Sequence, residues 1–469
     1  MFELTLAEIA QITGGTVSGD PNLKVTAIAT DSRELGPGSL FAAIVGERVD
    51  GHDFVNQALA SGAVASLVSR PVSEPYVLVP TNDSTVDPVV LALGKISAEY
   101  RNKFRKVNVI GITGSSGKTS TKDIIGQVLA NHAPTIAPPG SPNNELGLPM
   151  TILSAPLETK NLVLEMGMRG LGHIDYLCEI AVPNIAVVTN VGQAHIGEVG
   201  SIDNIQKAKS EIVQNLTAEN WAVLNFDDPN VIRMKNDTKA KVITYGFGAG
   251  ADVRAENLAS ESTGTYTFEL AYVGQKYKVN LPLLGEHNVL NALAAFAVGV
   301  ICGMTPDEIC LALSKVQLKS PWRMERQLLD SGITIINDAY NANPESMAAA
   351  LRTLSGLATP GHSWAILGEM AELGEHRVEQ HDAIGRLAVR LDIAHLVVIG
   401  DAAKTMYLGA LQEGSFNGEA VWFPDFDSAY DYIVTGAKAP DVLLFKASRV
   451  GRFEQLAQRI STALGNEVK

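Results

Sequence analysis

The sequence predicts an α/β protein of three domains. Its 469 residues exceed what one hydrophobic core holds and suit two to four domains. In two long stretches, short β-branched strand patterns alternate with helical patterns, which indicates parallel sheets with helices on both faces. Turn-forming residues near position 83 and at Ser320 and Pro321 interrupt these patterns. We therefore expect domains at residues 1–83, 84–320 and 321–469.

The composition, 46% hydrophobic and 19% charged, is typical of a globular protein, and the net charge of −14 argues against binding nucleic acid or a membrane surface. The three cysteines form no CxxC pair, which fits a reducing compartment. The first residues lack the basic segment of a signal peptide, and the longest apolar run, 292–302, is too short to span a bilayer. We expect a cytoplasmic monomer without membrane insertion.

The first domain is predicted from short helices and strands that alternate over about 80 residues. It carries the loop-rich stretch D-S-R-E-L-G-P-G-S-L-F-A-A-I-V-G-E-R-V-D-G-H-D-F at residues 31–54. A helix over about 86–100 leads from it to the central domain.

The central domain opens with a predicted phosphate-binding loop. Residues 107–113 form a strand pattern, residues 114–117 (G-S-S-G) turn the chain, and Lys118 and Thr119 begin an amphipathic helix. Free N–H groups and the positive end of a helix at one point bind an anion, Lys118 can reach the β- and γ-phosphates, and the Thr119 hydroxyl can hold Mg²⁺. The strict G-x-x-x-x-G-K-[ST] spacing is not met, because Ile112 stands where its first glycine belongs. The shorter T-G-x-x-G-K-T still predicts a nucleotide site.

Further strand patterns in the central domain lie at residues 161–166, 185–190, 222–226 and 242–245. Alternating residues on both sides of Gly274 predict an antiparallel hairpin, 266–272 and 277–281, at the edge of the sheet, and a helix follows at 288–303. The last domain is predicted to be a smaller Rossmann-like α/β domain, with strands at residues 333–337, 364–367, 396–399, 421–423 and 442–446.

Two candidate ligands follow strands of the central domain, at the sheet edge where the phosphate loop also lies. Glu165 in L-E-M-G-M-R-G ends one strand and suits Mg²⁺, although a capping or surface glutamate fits the same position. His195 lies in T-N-V-G-Q-A-H-I-G after the next strand, and ligand and structural roles are about equally supported.

Five other candidates are less specific. Lys209 and Lys207 are equally good on composition alone. Asn288 is either a helix N-cap or a ligand, and Asn291 needs hydrogen-bond partners in an apolar helix, for which a purine or a phosphate would serve. The guanidinium of Arg323 suits phosphate. Asp338 ends the first strand of the last domain and could face the same cleft.

These motifs, in this order, resemble the Mur ligase superfamily, the ATP-dependent amide-forming enzymes that also include folylpolyglutamate synthase. The resemblance covers nearly the whole chain and rests on T-G-S-S-G-K-T, L-E-M-G, N-V-G-x-A-H, A-K-x-E-I, H-N-x-x-N-A-L-A-A, a W/G-R element and D-x-Y-N-A-N-P. The short phosphate loop is the form that the family carries. D-S-R with L-F-A-A-I-x-G-E-x-x-D-G-H-D-F, N-N-E-L-G-L-P-M-T and L-G-E-M-A-E-L-G resemble the members that add D-alanyl-D-alanine.

The resemblance implies a P-loop ATPase as the central domain and roles for its residues. The ATP phosphates are assigned to Gly114, Ser115, Ser116, Gly117, Lys118, Thr119 and Ser120. Two Mg²⁺ are assigned to Thr119, Glu165 and His195. Lys209, rather than Lys207, matches a lysine that is carbamylated by CO₂ in most members. Asn288, Arg323 and Asp338 match nucleotide contacts.

The resemblance also implies the substrates and the reaction. A UDP-N-acetylmuramoyl-tripeptide would be activated as an acyl-phosphate and joined to D-alanyl-D-alanine, with closure of the last domain onto the central one. Substrate contacts are assigned to Ser32, Arg33, Gly46, His52, Asn143, Asn144, Thr151, Lys446, Ser448 and Arg449. Ala447 replaces the glycine of the family's K-G-S-R.

Two alternatives remain. A sister ligase would add a diamino acid or lysine to the UDP-dipeptide. A P-loop NTPase switch, which binds partners instead of forming bonds, would carry N-K-x-D downstream of the loop, and the sequence has none. A binding-only relative is disfavoured because Lys118, Glu165 and His195 are all present.

Overall fold

The computed structural model describes residues 3–81, 85–194, 196–261, 263–414 and 416–465. The chain forms two compact units. The first comprises residues 1–111, 132–168 and 172–185, and the second comprises residues 112–131, 169–171 and 186–469. The division falls within the strand Asn108–Thr113. Each unit combines helices with largely parallel sheets, which confirms the predicted α/β class.

The first unit contains a five-stranded sheet in which four strands run parallel and the edge strand Thr16–Ser18 is antiparallel to its neighbour. In order across the sheet, the strands are Thr16–Ser18, Tyr76–Leu78, Ala65–Val68, Ser39–Ala42 and Ala27–Ala29. Leu4–Thr5 pairs with Lys24–Val25, and Thr135–Ile136 pairs in parallel with Asn161–Glu165. The α-helices are Leu6–Thr13, Val55–Ala60, Pro88–Arg101, Gly147–Ser154 and His173–Ala181.

In the second unit, the strands Trp221–Asn225, Lys241–Gly246 and Val253–Ser260 pair in parallel. The hairpin Tyr266–Tyr272 and Gln275–Leu281 continues this sheet antiparallel to its edge, as predicted. Val253–Ser260 was not predicted, because polar residues and a register shift after Glu256 obscure its alternation. The remaining elements here are the strand Ile185–Val188, most of which belongs to this unit, and the helices Lys118–Ala130, Ile196–Val199, Ile202–Gln214, Pro229–Arg233, His287–Ile301 and Pro306–Leu313.

The C-terminal part of the second unit forms a six-stranded sheet with a buried core that includes Trp364 and Phe445. In order, its strands are Glu325–Leu328, Thr334–Asn337, Val442–Lys446, Ser363–Leu367, His395–Ile399 and Glu419–Phe423, of which the last five are parallel. The five predicted strands are confirmed. The unpredicted edge strand Glu325–Leu328 is exposed throughout, so it has no apolar alternation. The helices are Pro344–Leu357, Arg377–Arg390, Lys404–Gln412, Phe426–Gly436 and Phe453–Gly465.

The predicted domain boundaries stay predictions. The one at residue 83 falls among residues 82–84, which lie outside the described residues. Within the described ranges, no helix combines the length and the apolar character needed to cross a membrane.

Candidate active site

The phosphate loop lies between the strand Asn108–Thr113 and the helix Lys118–Ala130, as predicted. Gly117 immediately precedes the helix with φ +78°, a conformation that glycine adopts without strain. A Cβ on Gly114 would lie 1.8 Å from Thr189 Oγ1, so this position also requires glycine. Lys118 Nζ donates a hydrogen bond of 2.7 Å to the carbonyl oxygen of Gly114, which folds the lysine over the loop.

Thr189 and Asn190 hold the phosphate loop in place. The Ser115 N–H donates to the carbonyl of Asn190 (3.0 Å), and the Ser116 N–H donates to Asn190 Oδ1 (2.8 Å). Thr189 Oγ1 donates to the carbonyl of Ser116 (2.7 Å). Two amides assigned to phosphate are therefore used within the protein here. Sequence reasoning missed both residues, although their position just after the strand Ile185–Val188 was a usable signal.

Replacing Gly114 with Ala should raise the KM for ATP by about tenfold or more, since a small displacement in a binding loop has large effects. The added methyl group would overlap Thr189 and push the loop off its support. Steady-state kinetics would measure the effect, with Gly356→Ala as the control, because a Cβ on Gly356 meets no atom within 4 Å. An unchanged KM would contradict the inference that the phosphate loop packs closely against Thr189 at Gly114.

Arg323 reaches the first turn of the phosphate-loop helix. Its Nη2 donates a hydrogen bond of 2.9 Å to Thr119 Oγ1, and its guanidinium lies 4.1 Å from the ring centroid of Tyr340. Arg323 Nε is buried and has no hydrogen-bond partner among the described residues. The structure thus brings together Thr119 and Arg323, two of the predicted site residues, and leaves one guanidinium donor for a ligand.

Asn291 contacts the phosphate-loop helix Lys118–Ala130, and Asn288 is hydrogen-bonded to Asn291. Asn288 lies inside the helix His287–Ile301, so the alternative that it is the N-cap is wrong. Asn291 Nδ2 donates to Asn288 Oδ1 (2.9 Å), and Asn291 Oδ1 accepts from Thr121 Oγ1 (3.0 Å). Both amides are buried, which meets the expectation that Asn291 finds partners. Their role as nucleotide contacts stays a prediction.

Asp338 and Lys446 form a buried ion pair at the carboxyl ends of two parallel strands, with 2.6 Å between Lys446 Nζ and Asp338 Oδ2. Asp338 Oδ1 also accepts from the N–H of Met324, so the pair anchors the segment that carries Arg323. The Ser448 hydroxyl is buried and accepts from the N–H of Ala371 (2.8 Å). Of the three predicted substrate contacts near this end of the chain, Lys446 and Ser448 are buried and bonded within the protein.

Arg449 is the more accessible member of that set. Its guanidinium lies 4.3 Å from the ring centroid of Trp322, and it pairs with Glu454 at 2.9 Å. Ala447, which replaces the family's glycine, is fully buried.

Replacing Lys446 with Met should lower the free energy of unfolding by about 3–5 kcal/mol, because the Asp338 carboxylate would be left buried without its partner. Denaturant unfolding would measure the loss. The double variant Lys446→Met with Asp338→Asn should recover part of it, since the unpaired charge is gone while an amide oxygen can still accept from Met324. Equal losses in the single and double variants would refute this account.

The structure distinguishes Lys209 from Lys207. Lys209 is 1% exposed, whereas Lys207 is exposed on the same helix, Ile202–Gln214. Burial lowers the pKa of Lys209 well below its ordinary value, and the charge of Lys118 lowers it further. The signal was present in the sequence: Ile205 and Ile212 mark the apolar face, and Lys209 falls between them at helical spacing.

In the first unit, Glu165 ends the strand Asn161–Glu165 and is 2% exposed. Its Oε1 accepts hydrogen bonds from Ser141 Oγ (2.6 Å) and Asn143 Nδ2 (2.9 Å). Sequence reasoning missed Ser141, although it directly precedes the P-N-N segment that was assigned to substrate. Glu165 is therefore a buried, hydrogen-bonded carboxylate and not a surface glutamate.

Asn144 lies just before the helix Gly147–Ser154, and Thr151 lies within it. Asn144 Oδ1 accepts from the N–H of Gly147 (2.8 Å), and Thr151 Oγ1 donates to the carbonyl of Gly147 (2.9 Å). Both side chains thus stabilise the helix Gly147–Ser154. Their assignment to the nascent peptide stays a prediction.

The predicted UDP-substrate residues occupy the loops of the first unit. Arg33 pairs with Asp31, which holds the pKa of that carboxyl at about 2, and Ser32 lies between them, half-buried. Gly46 is exposed. His52 is buried, with Nδ1 2.6 Å from Asp50 Oδ1 and Nε2 accepting from the N–H of Ser69. Its ring therefore organises this loop.

His195 lies outside the described residues, so its predicted place in the site is not described. Among the residues that are described, no three His, Cys, Asp or Glu side chains cluster in a way that could hold a metal ion. The assignment of Mg²⁺ to Thr119, Glu165 and His195 stays a prediction.

Three family models match the chain in succession: "Mur ligase family, catalytic domain" over residues 24–101, "Mur ligase middle domain" over 112–299, and "Mur ligase, glutamate ligase domain" over 322–449. UDP-N-acetylmuramoyl-tripeptide–D-alanyl-D-alanine ligase from Mycobacterium bovis is 40% identical over 98% of each chain. The crystal structure of MurF from Acinetobacter baumannii is 31% identical, covers 98% of this chain and 99% of its own, and has a TM-score of 0.89. MurF from Thermotoga maritima in complex with ADP is 30% identical, with coverages of 94% and 98% and a TM-score of 0.82.

Proposed function

The chain belongs to the Mur ligase family, and we propose that it joins D-alanyl-D-alanine to UDP-N-acetylmuramoyl-tripeptide with conversion of ATP to ADP. The relatives named for this reaction align with nearly all of the chain. The observation that carries the proposal is the meeting of Arg323 with Thr119 at the phosphate loop, where Arg323 Nε is left without a partner among the described residues. A buried guanidinium donor beside such a loop suits a nucleotide phosphate.

The reaction proceeds in two steps. The terminal carboxylate of the UDP-tripeptide attacks the γ-phosphorus of ATP, which forms an acyl-phosphate and releases ADP. The amine of the dipeptide then attacks the acyl carbon, phosphate leaves with the electron pair of the broken C–O bond, and the amine loses a proton. Repulsion between carboxylate and triphosphate is the main obstacle, which Lys118 and Arg323 reduce by fixed positive charge. No protein nucleophile is required.

The residues present fit magnesium. Glu165 offers a buried carboxylate, and Thr119 offers a buried hydroxyl at the start of the phosphate-loop helix, and both are oxygen donors of the kind that Mg²⁺ prefers. Thr119 and Glu165, with His195, would hold two Mg²⁺ ions, which would supply positive charge to the phosphate oxygens. Glu165 is oriented for this by Ser141 and Asn143.

Lys209 is proposed to carry a carbamate. Only a neutral amine reacts with CO₂, and burial keeps the Lys209 amine neutral far below the ordinary lysine pKa. The product is an anion, which the neighbouring positive charge of Lys118 favours. Since the reaction consumes ATP, we place it in the cytoplasm, and we expect the chain to act as a monomer.

A phosphate-release assay tests the proposed function. The purified chain, ATP, Mg²⁺ and UDP-N-acetylmuramoyl-tripeptide are mixed with a panel of amines: D-alanyl-D-alanine, L-lysine, meso-diaminopimelate and buffer alone. We expect phosphate release only with the dipeptide, and a product whose mass equals that of both substrates minus water. A parallel reaction contains the UDP-dipeptide in place of the tripeptide, and its turnover with a diamino acid would assign the sister reaction instead. Nucleotide hydrolysis that no amine stimulates would favour an NTPase switch.

A further inference from the structure

The loop that follows the strand Ile185–Val188 is held by residues of the C-terminal part of the same unit. We call the described residues 192–194 and 196–197 the clasped loop, although its last two residues begin the short helix Ile196–Val199. At one end, the N–H of Gln193 donates to Glu345 Oε1 (2.8 Å). At the other end, the N–H of Gly197 donates to the carbonyl of Glu372 (3.2 Å). The loop is therefore fixed at two points by residues more than 150 positions away in the sequence.

Glycine permits both contacts. A Cβ on Gly192 would lie 2.4 Å from Glu345 Cδ, and a Cβ on Gly197 would lie 2.6 Å from the backbone nitrogen of Gly374. Real Cβ atoms do not come this close to other atoms, so each side chain would displace the opposite partner. Gly374 itself has φ +54° and faces Gly197 at similar range. Gly374 ends the L-G-E-M-A-E-L-G motif, to which the proposed reaction assigns no role.

The clasped loop is in turn bonded to the phosphate loop. The N–H of Gly192 donates to Ser115 Oγ (2.8 Å), and Ser115 Oγ donates to the carbonyl of Gly192 (3.1 Å). Asn343 Nδ2 also donates directly to the carbonyl of Ser115 (3.2 Å). The C-terminal part thus reaches Ser115 by two routes, one direct and one through the clasped loop.

The clasp at Glu345 is incomplete. Glu345 Oε2 is buried and has no hydrogen-bond partner among the described residues. Burying a carboxylate oxygen without a partner costs free energy and offsets part of what the bond to Gln193 contributes. The hydrogen bond from Gln193 to Glu345 therefore contributes less net stability than a fully paired carboxylate would.

We propose that Glu345 and Gly374 are positioning residues that hold the clasped loop against Ser115, in the arrangement that the phosphate loop needs for the activation step. This inference rests on the proposed function, because it concerns the activation step of that reaction. It gives Glu345 and Gly374 a role that involves no direct contact with substrate or nucleotide.

Gly192→Ala and Gly197→Ala test the proposal. Neither glycine has a positive φ, and the nearest atoms that either methyl group would meet belong to the clasp. We expect turnover to fall by about 100-fold in each, as displacement of a positioning contact does, while calorimetry shows ATP binding and thermal stability close to wild type. Gly356→Ala is the control, since its methyl group meets no atom within 4 Å. Wild-type turnover in both variants would overturn the proposal.

Hydrogen exchange followed by mass spectrometry gives a readout without substrate. The amides of Gln193 and Gly197 should exchange slowly in the wild-type chain and quickly in Gly192→Ala, Gly197→Ala and Glu345→Ala. Glu345→Gln keeps an acceptor oxygen and should restore both protection and turnover. Exchange that none of these variants changes, or a Gln variant as impaired as the Ala variant, would refute positioning by this hydrogen bond. If the amides of Gln193 and Gly197 exchange as expected but the wild-type chain forms no amide bond, the proposed function is wrong. The contacts of Glu345 and Gly374 with the clasped loop would still be supported.

Discussion

Replacing Lys118 with Ala should lower kcat/KM for amide formation by at least about 10²–10³, the loss typical when a preorganised charge at a reacting centre is removed. Lys118 is the cation that the loop itself supplies, and its Nζ lies 2.7 Å from the carbonyl oxygen of Gly114, at the mouth of the loop. Without it, the substrate carboxylate must approach the triphosphate against greater repulsion. The phosphate-release assay with UDP-tripeptide and dipeptide measures the effect.

Two controls make this result specific. Lys118→Met keeps the length of the side chain without its charge and should be as impaired as the Ala variant. Lys235→Ala removes an exposed lysine from the same compact unit and should leave the rate unchanged. Circular dichroism melting should show that Lys118→Ala remains folded. Turnover above one tenth of wild type would disprove the assignment of the phosphate site.

Replacing Lys209 with Ala should reduce turnover by about 10²-fold or more, because a charged group placed at a catalytic centre is lost. Lys207→Ala, two residues away on the exposed face of the same helix, should retain wild-type activity. The contrast is sharp because the two lysines share a helix and differ chiefly in burial. Activity that depends equally on both lysines would contradict a specific role for Lys209.

Carbamylation adds a pH dependence with a definite sign. The pKa of Lys209 is lowered by burial and by Lys118, so the neutral amine that CO₂ requires persists to low pH. As the pH falls through this lowered pKa, the amine becomes protonated, and carbamate and activity should decrease together. With ¹³C-labelled bicarbonate, the carbamate signal in the NMR spectrum should be present in Lys207→Ala and absent in Lys209→Ala. A signal that persists in Lys209→Ala would place the carbamate elsewhere.

Local patterns predicted the parts of the site that are continuous in the sequence. The strand, glycine turn and helix of the phosphate loop are confirmed, because each leaves a mark within a few neighbouring residues. Glu165 was placed at a strand end by the same logic. Family membership, inferred from the order of seven motifs, is also confirmed.

Contacts between segments that are distant in the sequence could not be predicted, because they produce no local sequence pattern. Asn190 holds Ser116 across 74 positions, and Glu345 holds Gln193 across 152, through side chain to backbone bonds that have no periodicity. Lys446 could be assigned to substrate but not to its ion pair with Asp338, since pairing depends on strand order in the sheet. The strand Glu325–Leu328 was missed because an exposed edge needs no apolar residues.

The path of the chain between the two compact units has a consequence for how the protein forms. The chain passes from one unit to the other five times before residue 186, so the first unit is assembled from three separate segments. During synthesis it cannot be complete until residue 185 has emerged, although its five-stranded sheet ends at Leu78. We therefore expect nascent chains that end before residue 132 to stay sensitive to protease, and those that extend well beyond residue 185 to become resistant.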